Sequence, residues 1–277
     1  MNIDHQHDIF DYRTPFILSS LRDSEHKSKR QGSGSDFYKK SLFLAEPNPA
    51  RIDLNRSVTD PFESLYVRSY RQRSKLDVIT LVDGSDSMRF AEKPELVTAC
   101  EHSITRSVAA RNDNYQSFLL SDKIKVNNNS ELIKTHFVAQ KNSHNHDVAQ
   151  AFDIVDRLLP DRRALIFIIS DFHWSTEKLN QTFNALSGHY LIPIVVWLSA
   201  EYQDFPAWRF VQIRDAETGR SRLIFVTKKQ KQQIEYTFTD RKIQLNSVFQ
   251  QFNSRACWMS DHFSVQQMSE YFHNVTK

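Results

Sequence analysis

The sequence predicts an α/β protein built on a mostly parallel sheet flanked by helices, with a small N-terminal β-containing region. Three observations carry that expectation. From Leu76 onward, apolar runs of strand length alternate with stretches of helical period, the pattern of a parallel sheet covered by crossover helices. Two of those runs, RALIFIIS from Arg163 and YLIPIVVWL from Tyr190, are nearly continuous in apolar residues, as strands buried on both faces are. The chain has 277 residues and is 40% hydrophobic, enough for one large core or two smaller ones.

Taken in order, LDVITLV from Leu76 is the first strand of the regular part, and PELVTACEHSITRSVAARN follows with apolar residues at helical spacing. YQSFLLSD is the next strand, and DVAQAFDIVDRLL is helical up to Pro160. After RALIFIIS, the stretch STEKLNQTFNALSGH opens on Ser175 or Thr176 as N-cap and closes at Gly188 as the residue past the helix end. YLIPIVVWL is a second interior strand; WRFVQIRD, the turn AETGR and SRLIFVT read as a hairpin. A polar helix from Lys228 to about Phe252, a short strand RACWMS and an amphipathic helix SVQQMSEYFHNV complete the pattern. The texture changes near Lys75, which divides the chain into an N-terminal region (1–75) and an α/β domain (76–277). The first of these contains short apolar pieces and the basic stretch HKSKRQGSGS, whose glycines and serines predict a flexible loop.

Composition narrows the function. A net charge of +3 with 25% charged residues is far from the concentrated positive field of a nucleic-acid binder, so no nucleic-acid partner is expected. Five glycines, none in a phosphate-cradling loop, speak against a dinucleotide fold. MNIDHQHDIFDY lacks the basic and apolar segments of a secretory signal. The apolar runs are far shorter than the roughly 20 residues of a membrane-spanning helix, so the expectation is a cytoplasmic protein without a transmembrane segment. Cys100 and Cys257 are too few for a disulfide framework and are read as buried apolar residues.

The chemistry concentrates in DGSDSM, from Asp83 to Met88, at the end of the first strand, and in ISDF, from Ile169 to Phe172, after another. Ligands of open parallel sheets bind at the carboxyl ends of the strands. Asp83, Ser85, Ser87 and Asp171 therefore form a candidate metal site: hydroxyl and carboxylate oxygens suit hard cations, Mg²⁺ or Mn²⁺. The alternative is a pair of polar turns. Asp86 lies between the serines and is given no ligand role.

DGSDSM resembles the metal-ion-dependent adhesion site of von Willebrand factor A domains, and ISDF resembles their later aspartate-bearing strand end. The segments GSGSDFYKKSLF, ARIDLNRSVTD, SLYVRSYRQRSKLDVITLVDGSDSM, IFIISDF and RDAETGR follow one another as in the bacterial domain-of-unknown-function-58 family, which this chain resembles more specifically. The resemblance implies a von Willebrand factor A-like core and partnership with a MoxR-type AAA+ ATPase. The pair would act as chaperone-like machinery that matures, or inserts metal into, an enzyme complex. In this family pattern the cation is left with an open position, filled by an Asp or Glu of the ATPase or of a client protein. The resemblance also places His146 where the superfamily has a ligating Thr. A neutral imidazole there shifts preference from Mg²⁺ toward Mn²⁺, Zn²⁺ or other transition metals; the other outcome is a weakened or lost site.

Non-enzymatic docking is thus the leading expectation. The competing ones are a metal-dependent hydrolase using Asp83 and Asp171 with nearby His144, His146 or His173, and a scaffold whose metal site has degenerated. A hydrolytic zinc centre lacks the paired histidines of a zinc-protease helix. An aspartyl phosphatase would carry a second aspartate where Ser85 stands, and there is no G-x-S-x-G nucleophile elbow.

Overall fold

The computed structural model describes residues 8–12, 36–44, 49–62, 64–71, 75–121, 123–127, 131–139, 148–203, 209–214 and 221–275. They belong to two compact units, one of Ile17–Lys75 and one of Met1–Phe16 with Leu76–Lys277.

In the smaller unit β1 (Asp36–Leu42) pairs antiparallel with β2 (Tyr66–Arg71), the register slipping between Phe37 and Lys39. Between them a short helix, α1 (Leu54–Val58), starts on Asp53, whose carboxylate accepts the Arg56 N–H at 3.3 Å and pairs with Arg68 Nε at 3.3 Å. The basic stretch HKSKRQGSGS lies outside the described residues.

The larger unit runs β3 (Asp77–Asp83), α2 (Lys93–Arg111), β4 (Asn114–Leu120), β5 (Ile124–Val126), α3 (Glu131–Ala139), α4 (Val148–Val155) and β6 (Leu165–Ser170). It continues with α5 (Thr176–Ala185), β7 (Tyr190–Trp197), α6 (Ser199–Tyr202), β8 (Arg209–Arg214), β9 (Ser221–Val226), α7 (Lys228–Gln251), β10 (Cys257–Ser260) and α8 (Val265–Val275). Six strands form one sheet in the order β10-β7-β6-β3-β4-β5, parallel except for the edge pair β4–β5. β8 and β9 form the expected antiparallel pair, and the AETGR turn between them lies outside the described residues. Among the described residues no helix is long and apolar enough to cross a membrane.

Alternation along the central strands makes two cores. Val78 and Val82 of β3, with Leu165, Phe167 and Ile169 of β6, face Val97, Ile104 and Val108 of α2 and Met268 and Phe272 of α8. On the other face Ile79 and Leu81, with Ile166 and Ile168, pack with Phe152 of α4, Leu179 and Phe183 of α5 and Phe249 of α7. With helices on both faces, none of the β6 side chains reaches solvent, which is why that strand reads as a near-unbroken apolar run.

Three features differ from the sequence expectation. Residues 8–12 belong with the sheet: Phe10 is 1% exposed, stacks on Phe272 at 5.8 Å and meets Phe167 edge-on at 6.4 Å. α3 and β5 lie in a stretch to which the sequence reading assigns no element; their periodic patterns are too short to stand out. α5 ends before Gly188, with Leu186 as C-cap, because that side chain is pinned in the core and the chain turns there. Both cysteines are free and buried, and burial pushes the Cys257 thiol up to about 12.

Candidate metal and docking site

From β3 the chain passes to β4 on one side and later returns to β6 on the other, so the carboxyl ends of β3 and β6 flank the topological switch point. Asp83 ends β3 and Asp171 follows β6, with exposures of 0% and 1%. Ser170 joins the two strand ends: its hydroxyl donates to Asp83 Oδ2 at 2.6 Å and accepts the Phe172 N–H at 2.9 Å. Asp83 Oδ1 accepts the Ser85 N–H at 2.9 Å. This local turn swings the chain off the strand into a single 3₁₀ turn, Asp86–Arg89. Ser85 Oγ and Ser87 Oγ share a hydrogen bond at 3.0 Å, and the Ser87 side chain is near enough to Asp171 to help lower its carboxyl. Four of the five anticipated residues thus gather at one edge. His146, with His144, lies outside the described residues. Asp86 turns aside to pair with Arg89 Nε at 3.1 Å.

Close packing fixes the loop. The Gly84 N–H donates to Leu120 O at 2.7 Å, and His136 Nε2 of α3 lies 3.1 Å from Gly84 O. A Cβ at residue 84 would stand 2.9 Å from Leu120 O and 3.0 Å from His136 Nε2, closer than real side chains approach. Gly84→Ala is therefore expected to cost about 1–3 kcal/mol by overpacking and to weaken metal binding by displacing both serines. Thermal melting and a metal titration of the same variant check the two effects. On the β6 side, Phe172 adopts a left-handed backbone, φ 53°, uncommon for a bulky residue. Its ring is held by Trp174, Phe183 and Phe249 at centroid distances of 5.4, 6.3 and 5.2 Å. That turn aims the His173 N–H back at Asp171 Oδ1, 3.4 Å away.

The residue that sequence reasoning missed is Lys93, the first of α2. Its side chain is fully buried, and Nζ donates to Glu201 Oε1 at 2.7 Å, Asp171 Oδ2 at 3.0 Å and Ser87 O at 3.4 Å. Glu201 is oriented in turn by the Leu198 N–H, 2.8 Å from Oε2. The candidate-site carboxylate of Asp171 therefore already has an internal counter-charge. Burial alone would raise the Asp171 carboxyl, but the Lys93 ammonium, helped by His173 and Ser87, holds it below the ordinary range. Burial would likewise lower Lys93, but Asp171 and Glu201 outweigh it and raise it. Among the described residues no ammonium faces Asp83: burial and the neighbouring Asp171 charge push it up to about 6, against the hydrogen bonds from Ser170 and Ser85. In sequence, Lys93 stands in EKPEL, and no spacing distinguishes it from an exposed helix-start lysine.

Asp171, His173 and Glu201 also bring ligand atoms within 4.8 Å of one another. The His173 ring stacks on Trp197 at 5.8 Å, and the Trp197 indole N–H donates to Asp171 O at 2.8 Å. The aromatic layer thus fixes the β6 end from beneath.

The donor set fits a hard divalent cation. The two serine hydroxyls are hydrogen-bonded to each other at 3.0 Å, and two ligands at right angles around Mg²⁺, each about 2.1 Å from the ion, have the same separation of roughly 3.0 Å. Asp83, short of positive charge, lies beside the serines. This is an α/β protein with a six-stranded, mostly parallel sheet, consistent with a von Willebrand factor A-like fold, and its D-x-S-x-S loop and second aspartate share one sheet edge. The model described as "Protein of unknown function DUF58" matches residues 50–244, and the chain belongs to that family. Among curated protein sequences none matches it significantly. Solved structures similar to it include the conserved hypothetical protein BatB from Bacteroides thetaiotaomicron, at 14% identity and TM-score 0.39, over 72% of this chain and 98% of that one. Another is an aerotolerance-related membrane protein from Bacteroides fragilis, at 11% identity and TM-score 0.40, over 73% of this chain and 98% of that one. A third is proximal thread matrix protein 1 of the mussel byssus, at 12% identity and TM-score 0.36, over 73% of this chain and 47% of that one.

Proposed function

We propose that this protein is a non-enzymatic docking module whose β3–β6 edge takes a divalent cation, Mg²⁺ or Mn²⁺, and presents it to an acidic side chain of a partner protein. The observation that carries this reading is the Ser85–Ser87 hydroxyl pair, 3.0 Å apart, beside the buried, under-compensated Asp83. A bound cation supplies an electrophilic point at which a carboxylate of the partner completes the coordination. Ser85, Ser87 and Asp83 hold it; Ser170 and the Gly84 turn keep their oxygens convergent; Asp171 stands next to Ser87 with part of its charge committed to Lys93. The family resemblance supplies the partner: a MoxR-type AAA+ ATPase or its client, met inside the cell during maturation of an enzyme complex. The hydrolase alternative is less well supported, because the carboxylates of Asp171 and Glu201 converge on an ammonium rather than standing free to position a metal-bound water.

Calorimetric titration with Mn²⁺ is expected to show one site in the wild type and none in a Ser85→Ala/Ser87→Ala double variant. Addition of the purified MoxR-type ATPase of the same organism should give a complex that EDTA dissolves. A complex indifferent to EDTA and to the double substitution overturns metal-bridged docking, and steady hydrolysis of a phosphate ester or peptide with added metal overturns the non-enzymatic reading.

A further inference from the structure

We propose that Lys93 is a resident cation of this edge, competing with a divalent ion for Asp171 and setting how much of that ion's charge is left for an incoming carboxylate. The inference rests on the metal-docking reading and adds to it the residue that tunes the site.

The ammonium is not a surface group that happens to reach inward. It is buried completely and faces three oxygens from three segments: the loop after β3 (Ser87 O), the end of β6 (Asp171) and α6 after β7 (Glu201). Three acceptors match its three donors. An ammonium in this position is costly to desolvate unless paired, and here the pairing is with Asp171 and with the backbone carbonyl of Ser87, in the loop that carries the candidate metal site. Asp83, Asp171 and Glu201 together bring three negative charges and Lys93 one positive, leaving −2. A divalent cation then brings the set to neutrality, and an arriving carboxylate meets no net repulsion. Without the lysine charge the same carboxylates amount to −3. They would grip the cation more tightly, keep the set at −1 once it is bound, and repel the acidic partner. Loss of the Glu201 charge acts in the opposite sense: the set falls to −1, cation affinity drops, and the loaded site becomes more attractive to a carboxylate.

The test measures Mn²⁺ affinity by calorimetry, and carboxylate access by the paramagnetic relaxation that bound Mn²⁺ imposes on acetate protons. Lys93→Met should bind Mn²⁺ about 10- to 100-fold more tightly, the scale seen for groups that contact a metal's ligands, while acetate relaxation falls. Glu201→Gln should bind Mn²⁺ more weakly and raise acetate relaxation. A purely structural role for Lys93 would move both variants in the same direction. Shifts of the same sign, or an unchanged Mn²⁺ affinity in Lys93→Met, overturn the proposal. Lys93→Gln, which keeps a donor and loses the charge, repeats the measurement if the methionine variant does not melt cooperatively; if neither folds, the direction of the Glu201→Gln shift decides. A wild type that binds no Mn²⁺ beside a Lys93 variant that binds it through Ser85 supports the resident cation and sinks wild-type metal docking. A wild type that binds Mn²⁺ with no tightening in the Lys93 variants does the reverse, and absence of binding in every protein overturns both.

Discussion

Asp83→Asn is expected to abolish divalent-metal binding and, at the same time, to raise the melting temperature of the metal-free protein at pH 8. The side chain is fully buried with the Asp171 charge nearby, and its carboxyl is pushed from an ordinary 3.8 up to about 6. A shift of that size corresponds to a cost on the order of 2–3 kcal/mol for holding the anion. An asparagine of the same shape can still accept the Ser85 N–H, and its amide group can donate to Ser170 Oγ, reversing that bond and leaving the serine proton to turn to another acceptor, so both contacts persist while the charge is lost. The pH dependence follows from the direction of the shift. Between about pH 4 and pH 6 the folded protein binds more protons at Asp83 than the unfolded chain does, so stability falls as the pH rises through that window. The component is absent below it and fully expressed above. Asp171, lowered from its ordinary 3.8, acts in the other direction: its contribution is present above that value and is lost as the pH falls below it. Melting curves in EDTA from pH 4 to pH 8 should therefore show wild type falling away from Asp83→Asn between about pH 4 and pH 6, with the gap constant above that window. A variant less stable than wild type at pH 8 would mean that Asp83 is satisfied without a cation.

Phe10→Ala should destabilise the sheet-bearing unit by about 3–5 kcal/mol, the usual cost of deleting a buried phenylalanine, lowering its melting temperature by roughly 10 °C. The ring lies between Tyr12, Phe167 and Phe272, with centroid distances of 6.2, 6.4 and 5.8 Å. The backbone around it is tied to α2: the Phe10 N–H donates to Ser107 Oγ at 3.0 Å, and Ser103 Oγ donates to Asp8 O at 2.7 Å. Tyr12 OH donates to Asp113 Oδ2 at 2.5 Å, which secures the far end of the segment. A change below 1 kcal/mol in chemical denaturation would show that these residues do not complete the core.

Much of the larger unit was legible because its signals are local and periodic. LDVITLV and RALIFIIS announce strands buried on both faces, and the helical stretches between them dictate parallel pairing. Of the two N-cap candidates, Ser175 and Thr176, the helix uses Ser175, which accepts the Lys178 N–H at 3.3 Å. The amphipathic SVQQMSEYFHNV stretch is α8, which lays Met268 and Phe272 on the sheet. The carboxylates and serines at the strand ends were legible for a related reason: once the strands are parallel, everything that follows their carboxyl ends falls on one edge.

The sequence by itself determined the parallel α/β architecture, the family, and the meeting of Asp83, Ser85, Ser87 and Asp171, because strand direction and side-chain period are properties of the chain at short range. Only the tertiary structure decided what neutralises them. Lys93 reaches Asp171 across 78 positions and Glu201 across 108, Phe10 meets Ser107 across 97, and His136 closes on Gly84 across 52. Contacts of that separation depend on how helices lie over the sheet, and burial rather than residue type turned an ordinary helix-start lysine into the counter-charge of the site.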